Sequence, residues 1–185
     1  MEKKDRGRYA FTARKLCYTA VAVVVICLCA WISVPVGEIP VTLQTFGVCL
    51  AAGLLGWKYG LLAVLAYLGL GFVGVPVFAG FTGGVAKLLT PTGGYMLGFV
   101  CTAPLVGALT EKRRDKIGFS IVCMALGVAV CYAFGTLWFA LFVSDTAVGL
   151  WAALLTCVFP FLPFDLIKIV LAAFLVKRLS PLIRK

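Results

Sequence analysis

The sequence predicts an all-α integral membrane protein with six transmembrane helices, its N-terminus and C-terminus both on the inner side. Three observations carry that prediction. The chain is 63% hydrophobic with a mean hydropathy of +1.09, whereas a soluble domain is nearer 45–50% apolar. Its apolar runs are long and continuous, which fits spanning helices and not the alternating segments of about 10 residues of a membrane barrel. Finally, 15 of the 17 Lys and Arg residues fall in clusters that six spans bring to one side, as the positive-inside rule requires.

One membrane domain is expected over residues 1–185, with a basic tail 1–16 holding Lys3, Lys4, Arg6, Arg8, Arg14 and Lys15. Spans are expected at about 17–35, 43–56, 59–75, 95–110, 118–143 and 147–176. The first could follow a signal-peptide n-region, but it is long enough to span and no small-residue cleavage site follows it. Pro35, Glu38 and Pro40 turn the chain, and Val41-Thr-Leu-Gln-Thr45 places polar groups at the mouth of the short second run. Trp57 and Lys58 mark an interface before the third. Gly69-Leu-Gly-Phe-Val-Gly74 within it matches a dinucleotide fingerprint. No strand precedes it and no acid follows about 20 residues on, so close helix packing is the better reading. Glu111–Lys116 is a solvated charge cluster, Ser144-Asp-Thr a turn, and Pro160 and Pro163 interrupt the sixth run.

The net charge of +10 sits in these short clusters, so nucleic-acid binding is not expected. The eight cysteines lie in or beside apolar runs, form no Cys-x-x-Cys and read as small buried hydrophobes. With no histidine, four serines and no Gly-x-Ser-x-Gly, hydrolase and zinc chemistries lose their main residues. No Gly-x-x-x-x-Gly-Lys-Ser/Thr is present, hence no nucleotide site is expected on this chain.

Two stretches break the pattern. Pro76–Phe99 holds two Gly-Gly pairs, two prolines and Lys87. It cannot be one regular helix, and irregular backbone at a membrane is tolerated where protein covers it or it lines a wet cavity. Topology puts it on the outer face. Lys87 there is either solvated or a ligand contact, and Tyr95 either an interfacial anchor or part of a site. In the second stretch, Asp165 and Lys168 stand three apart, sharing one helix face with Cβ atoms about 5–6 Å apart. Each charge costs about 2.5–3.5 kcal/mol in the bilayer even on the lenient scale. They either neutralise each other or face a polar ligand, and an apolar replacement is often no less stable than a mutual pair.

In order along the chain, Val41-Thr-Leu-Gln-Thr45, Pro76-Val-Phe-Ala-Gly80, Gly83-Gly84, Pro91-Thr-Gly-Gly-Tyr95, Gly98-Phe99, Gly135-Thr-Leu-Trp138 and Leu162-Pro-Phe-Asp-Leu-Ile-Lys168 resemble the BioY family. These are the substrate-binding S components of energy-coupling-factor biotin transporters. The resemblance implies a six-helix protein that binds biotin near its outer face. It delivers biotin inward with a transmembrane T component and two cytoplasmic ATPases, and no cofactor is implied. It also implies a biotin site at Thr92, Gly93, Gly94 and Tyr95, and at Asp165 and Lys168. Thr90 and Phe164 stand where the family usually has glycine. The first-span docking face for the T component falls at Ala20 and Val24, where the family usually has a second alanine. Self-association into a homo-oligomer is compatible with the sequence.

The residue chemistry suits that ligand. Asp165 accepts from ureido N–H groups, while Lys168 holds the carboxylate or, held by Asp165, donates to the ureido carbonyl. Gln44, Thr42, Thr82, Thr92 and Tyr95 offer neutral hydrogen bonds, and Tyr67, Phe78 and Trp138 are candidate walls for the apolar ring. Nanomolar affinity needs about 12 kcal/mol, or about 0.8 kcal/mol for each of biotin's roughly 16 heavy atoms. Loop 76–99 should therefore close over the ligand, with its glycines as hinges and points of close approach. The competing readings are an S component or solitary carrier for another vitamin, an intramembrane enzyme using Asp165 and Lys168 as acid and base, and a structural membrane subunit.

Overall fold

The computed structural model describes residues 2–34, 40–143 and 158–184, and of 2–12, 142, 143 and 184 the backbone alone. Among the described residues it is all-helical apart from a strand pair of two residues each. The elements are α1 (Glu2–Trp31), β1 (Ser33–Val34), β2 (Val41–Thr42), α2 (Gln44–Phe72), α3 (Gly93–Thr110), α4 (Ile117–Trp138) and α5 (Leu162–Arg184). Ala13–Trp31, Gln44–Phe72, Gly93–Thr110 and Ile117–Leu141 are long and apolar enough to cross a membrane. The upstream part of the sixth expected span, with the Ser144-Asp-Thr turn and Cys157, lies outside the described residues, as does most of the 35–40 turn.

Two elements differ from expectation, and a third shows how its expected break is made. The basic tail is not separate: α1 runs unbroken from Glu2, because no proline interrupts it. Short β1 pairs antiparallel with β2, Ser33 opposite Thr42 and Val34 opposite Val41, which closes the first loop onto the mouth of α2. Runs 43–56 and 59–75 are two legs of α2, broken at Gly56 (φ 81°, ψ −178°). Eight residues of straight helix rise about 12 Å. Yet a Cβ built on Gly60 stands 2.8 Å from the Cα of Ala52, so the legs fold back on each other. Only glycine adopts the Gly56 backbone readily.

This doubled α2 sits at the centre, packed against α1, α3 and α5, while α4 joins α3 to α5. The core is built from Ile26, Val48, Ala52, Val64, Val106, Met124, Ala172 and Val176, all fully buried. On α1, Val21, Val24 and Leu28 are exposed, as is Ile32 just past its end, a lipid-compatible face that includes Ala20. The end of α3 rests on the Gly56 corner: a Cβ on Gly107 comes within 2.5 Å of the Trp57 backbone nitrogen. Backbone cannot swing aside as a side chain can. Gly107→Val is therefore expected to destabilise the bundle by about 2–3 kcal/mol, read as a lowered unfolding temperature in detergent.

Candidate functional site

At the end of the bundle away from the Gly56 corner, the strand pair, the 76–92 loop and the start of α5 enclose a cavity. Its volume is about 50 Å³, room for a few water molecules. Gln44 and Thr45 come from the start of α2, Lys87 and Thr92 from the loop, Tyr95 from α3, Tyr132 from α4, and Asp165 and Lys168 from α5.

Pro163 lies in the first turn of α5, where a missing amide costs nothing. The turn is anchored by the Asp165 amide, which donates to the Phe161 carbonyl at 2.9 Å. This aims Asp165 and Lys168 inward, only 4% and 7% exposed. Lys168 Nζ donates to Asp165 Oδ1 at 2.6 Å, and Thr45 Oγ1 donates to the same oxygen at 2.9 Å. The Tyr132 hydroxyl donates to Asp165 Oδ2. The carboxylate is thus held by three donors from three helices, and its ammonium partner keeps further N–H donors on the cavity side. Gln44 is equally fixed. Its Nε2 donates to the Tyr67 hydroxyl at 2.5 Å, and its Oε1 accepts from Thr42 Oγ1 at 3.0 Å.

Of the residues expected at a site, the fold brings Asp165, Lys168, Tyr95, Thr92, Gln44, Thr42 and Lys87 to this one cavity. Others lie elsewhere. Thr82 turns back to the Ala79 carbonyl at 2.9 Å, stabilising the loop. Gly93 and Gly94 do not line the cavity; they let α3 start tightly. Cβ atoms there would meet the Leu88 carbonyl oxygen at 2.0 Å and Trp138 Cβ at 2.2 Å. Trp138 therefore rests on Gly94 and is not a cavity wall. Nor are Tyr67 and Phe78, which meet edge to face at 5.5 Å and are fully buried. Phe78 plugs the loop into the space above Gly71, where a Cβ would stand 2.0 Å from its ring. That explains the middle glycine of Gly69-x-Gly-x-x-Gly74. The apolar wall is instead Met96, Phe99, Tyr132 and Phe161.

Thr45 and Tyr132 are the residues that sequence reasoning missed, although hydroxyls on apolar spans were the available signal. The two departures from family pattern also find places. Thr90 Oγ1 donates to the Lys87 carbonyl at 2.6 Å and lies 2.9 Å from Thr92 Oγ1, bracing the loop beside the cavity. Phe164 is 52% exposed, so its bulk points away from the site. The outer loop is latched to α1 as well: Trp31 Nε1 donates to the Pro76 carbonyl at 2.9 Å, and its ring stacks on Phe81 at 5.0 Å.

If Tyr132 and Thr45 set the carboxylate, removing one hydroxyl should cost ligand affinity with little change in fold. Tyr132→Phe and Thr45→Val are each expected to weaken binding about 5- to 10-fold, from about 1–1.5 kcal/mol per hydrogen bond. Equilibrium titration of the purified variants measures this.

A model of the BioY family matches residues 1–185. The chain is 41% identical over 169 residues to a protein named "Biotin transporter BioY" from Thermotoga maritima, covering 91% of this chain and 97% of that one. It is 38% identical over 168 residues to a "Probable biotin transporter BioY" from Pyrococcus horikoshii, with the same coverage. A crystal structure at 2.1 Å of "the S-component for biotin from an ECF-type ABC transporter" has the same fold, with a TM-score of 0.84 at 30% identity over 92% of each chain.

Proposed function

This chain belongs to the BioY family, and from that premise we propose how its cavity handles biotin. It is a multi-pass membrane transport protein for biotin and not an enzyme. Biotin lodges with its ureido ring against Asp165, which accepts from a ureido N–H. Lys168, drawn by Asp165, donates to the ureido carbonyl or takes the valeryl carboxylate. Met96, Phe99 and Phe161 cover the thioether ring. Thr92, Tyr95, Gln44 and Lys87 complete the polar rim. The observation that carries this reading is the buried Asp165–Lys168 pair, held at 2.6 Å in the wall of a cavity and braced by two further hydroxyl donors. A pair kept only to neutralise itself needs no cavity.

The 50 Å³ space is too small for a bicyclic ligand, so entry requires the 76–92 loop to lift and the cavity to widen. Gly80 and Gly84, both at positive φ, are the positions where the loop backbone flexes most readily. Release of the Trp31 latch accompanies that opening.

The proposal extends to topology and partners. Six spans follow if the two legs of α2 each cross and α5 (Leu162–Arg184), rather than the expected 147–176, is the last. Arg14, Lys15, Lys58 and the 112–116 cluster lie at the Gly56 end and the Asp165 cavity at the other. The positive-inside rule then puts both termini inside and the cavity outside. With no nucleotide motif of its own, the chain works with a T component and two ATPases, docking through the exposed α1 face at Ala20 and Val24.

Two measurements test this. Purified protein should bind biotin saturably and neither riboflavin nor thiamine; saturable binding of another vitamin without biotin binding would overturn the ligand assignment. Uptake in cells should rise when the ATPases and T component are coexpressed, and equal uptake without them would make the chain a solitary carrier.

A further inference from the structure

At the Gly56 end of the bundle lies a second cavity, of about 190 Å³. Among the described residues, Arg14, Lys15 and Arg114 line it together with the carboxylate of Glu111, and Tyr18 and Tyr59 add two hydroxyls. Among the described residues, three cations stand against one carboxylate, a net lining charge of +2. Arg114 is only 7% exposed and is seated on the chain corner, where a Cβ on Gly56 would lie 3.3 Å from its Nη2 and 3.1 Å from Glu111 Oε2. Lys15 Nζ lies 5.0 Å from the centre of the Tyr59 ring. Leu54 and Ile183 make the remaining side apolar.

The depth of this cavity is set by the helices around it. The apolar span Ala13–Trp31 begins here and Gly93–Thr110 ends here, so the cations stand where hydrocarbon gives way to headgroups. Excess positive charge around a largely desolvated guanidinium favours an anion. Arg presents the planar fork that matches phosphate oxygens. The apolar side next to the cations suits an amphiphile better than a free ion. Basic pockets between transmembrane helices hold lipid headgroups elsewhere by the same chemistry.

We propose that this cavity binds the phosphate headgroup of an anionic membrane lipid. The inference depends on the membrane placement of the chain and not on where biotin binds. Native mass spectrometry of the full chain, equilibrated with mixed phosphatidylglycerol and phosphatidylcholine vesicles, tests it. Wild type should retain one phosphatidylglycerol with about tenfold preference over phosphatidylcholine. Arg14→Gln/Lys15→Gln, at half-exposed positions outside the biotin cavity, should lose most of that preference while biotin titration is unchanged. Millimolar inorganic phosphate should not displace the lipid. Equal retention of the two lipids by wild type would overturn the proposal without reference to any variant, as would an unchanged preference in the double variant. Displacement by inorganic phosphate would overturn the lipid assignment in favour of a free anion.

Discussion

Asp165→Asn is expected to weaken biotin binding about 100-fold or more, the loss of about 3 kcal/mol when a charge-assisted hydrogen bond goes. The substitution keeps shape and volume but replaces one acceptor oxygen with an NH₂ donor. Thr45, Lys168 and Tyr132 all donate to this carboxylate. An amide oxygen can serve Thr45 and Lys168, but the NH₂ then faces Tyr132, and the ureido N–H of biotin has no anionic acceptor left. Titration with labelled biotin reads the loss. A change of less than threefold would mean that Asp165 does not meet the ligand.

The other large effect belongs to Lys168. Lys168→Met keeps most of the aliphatic stem and removes the charge, leaving Asp165 buried with two neutral donors. Removing one partner of a buried pair costs about 3–5 kcal/mol. At 2–4 °C per kcal/mol for a chain of this size, that is a drop of about 10 °C in unfolding temperature. Affinity should fall as well, because the ligand loses its cationic partner. Thermal unfolding in detergent with no biotin present isolates the first effect, and titration below the transition isolates the second. An unfolding temperature equal to wild type would show that Asp165 is not ionised against Lys168 in the folded chain.

These two residues were legible in the sequence because a charge within an apolar run is costly and a spacing of three defines one helix face. Their supports were not. Thr45 and Tyr132 stand 120 and 33 residues from Asp165, and hydroxyls on an apolar span do not announce which neighbour they will meet. The expected aromatic walls lie away from this cavity for a related reason. Proximity to a motif put Tyr67, Phe78 and Trp138 in view, but which face a ring turns to is set by where glycine leaves room. Gly71 takes Phe78 and Gly94 takes Trp138, so both rings pack between elements. Met96 and Phe161, unremarked in an apolar background, reach the cavity. The membrane class was plain from composition alone. The division of α2 into two legs was also in view, since the sequence ends one run at 56 and begins the next at 59; that the corner itself is the Gly56 backbone was not, because nothing in the sequence marks its positive φ.

The central claim is that the Asp165–Lys168 pair is kept for the ligand and not for the fold, and the neutral double variant Asp165→Leu/Lys168→Met tests it most directly. Replacing both charges with apolar groups removes the unpaired-charge penalty and is often neutral or stabilising. The account predicts a folded variant whose unfolding temperature falls less than that of Lys168→Met, because Thr45 and Tyr132 lose an acceptor but no charge is left unpaired, together with no saturable biotin binding in equilibrium titration. Retained biotin binding in that folded variant would contradict it, and the pair would then be a structural element beside a site located elsewhere.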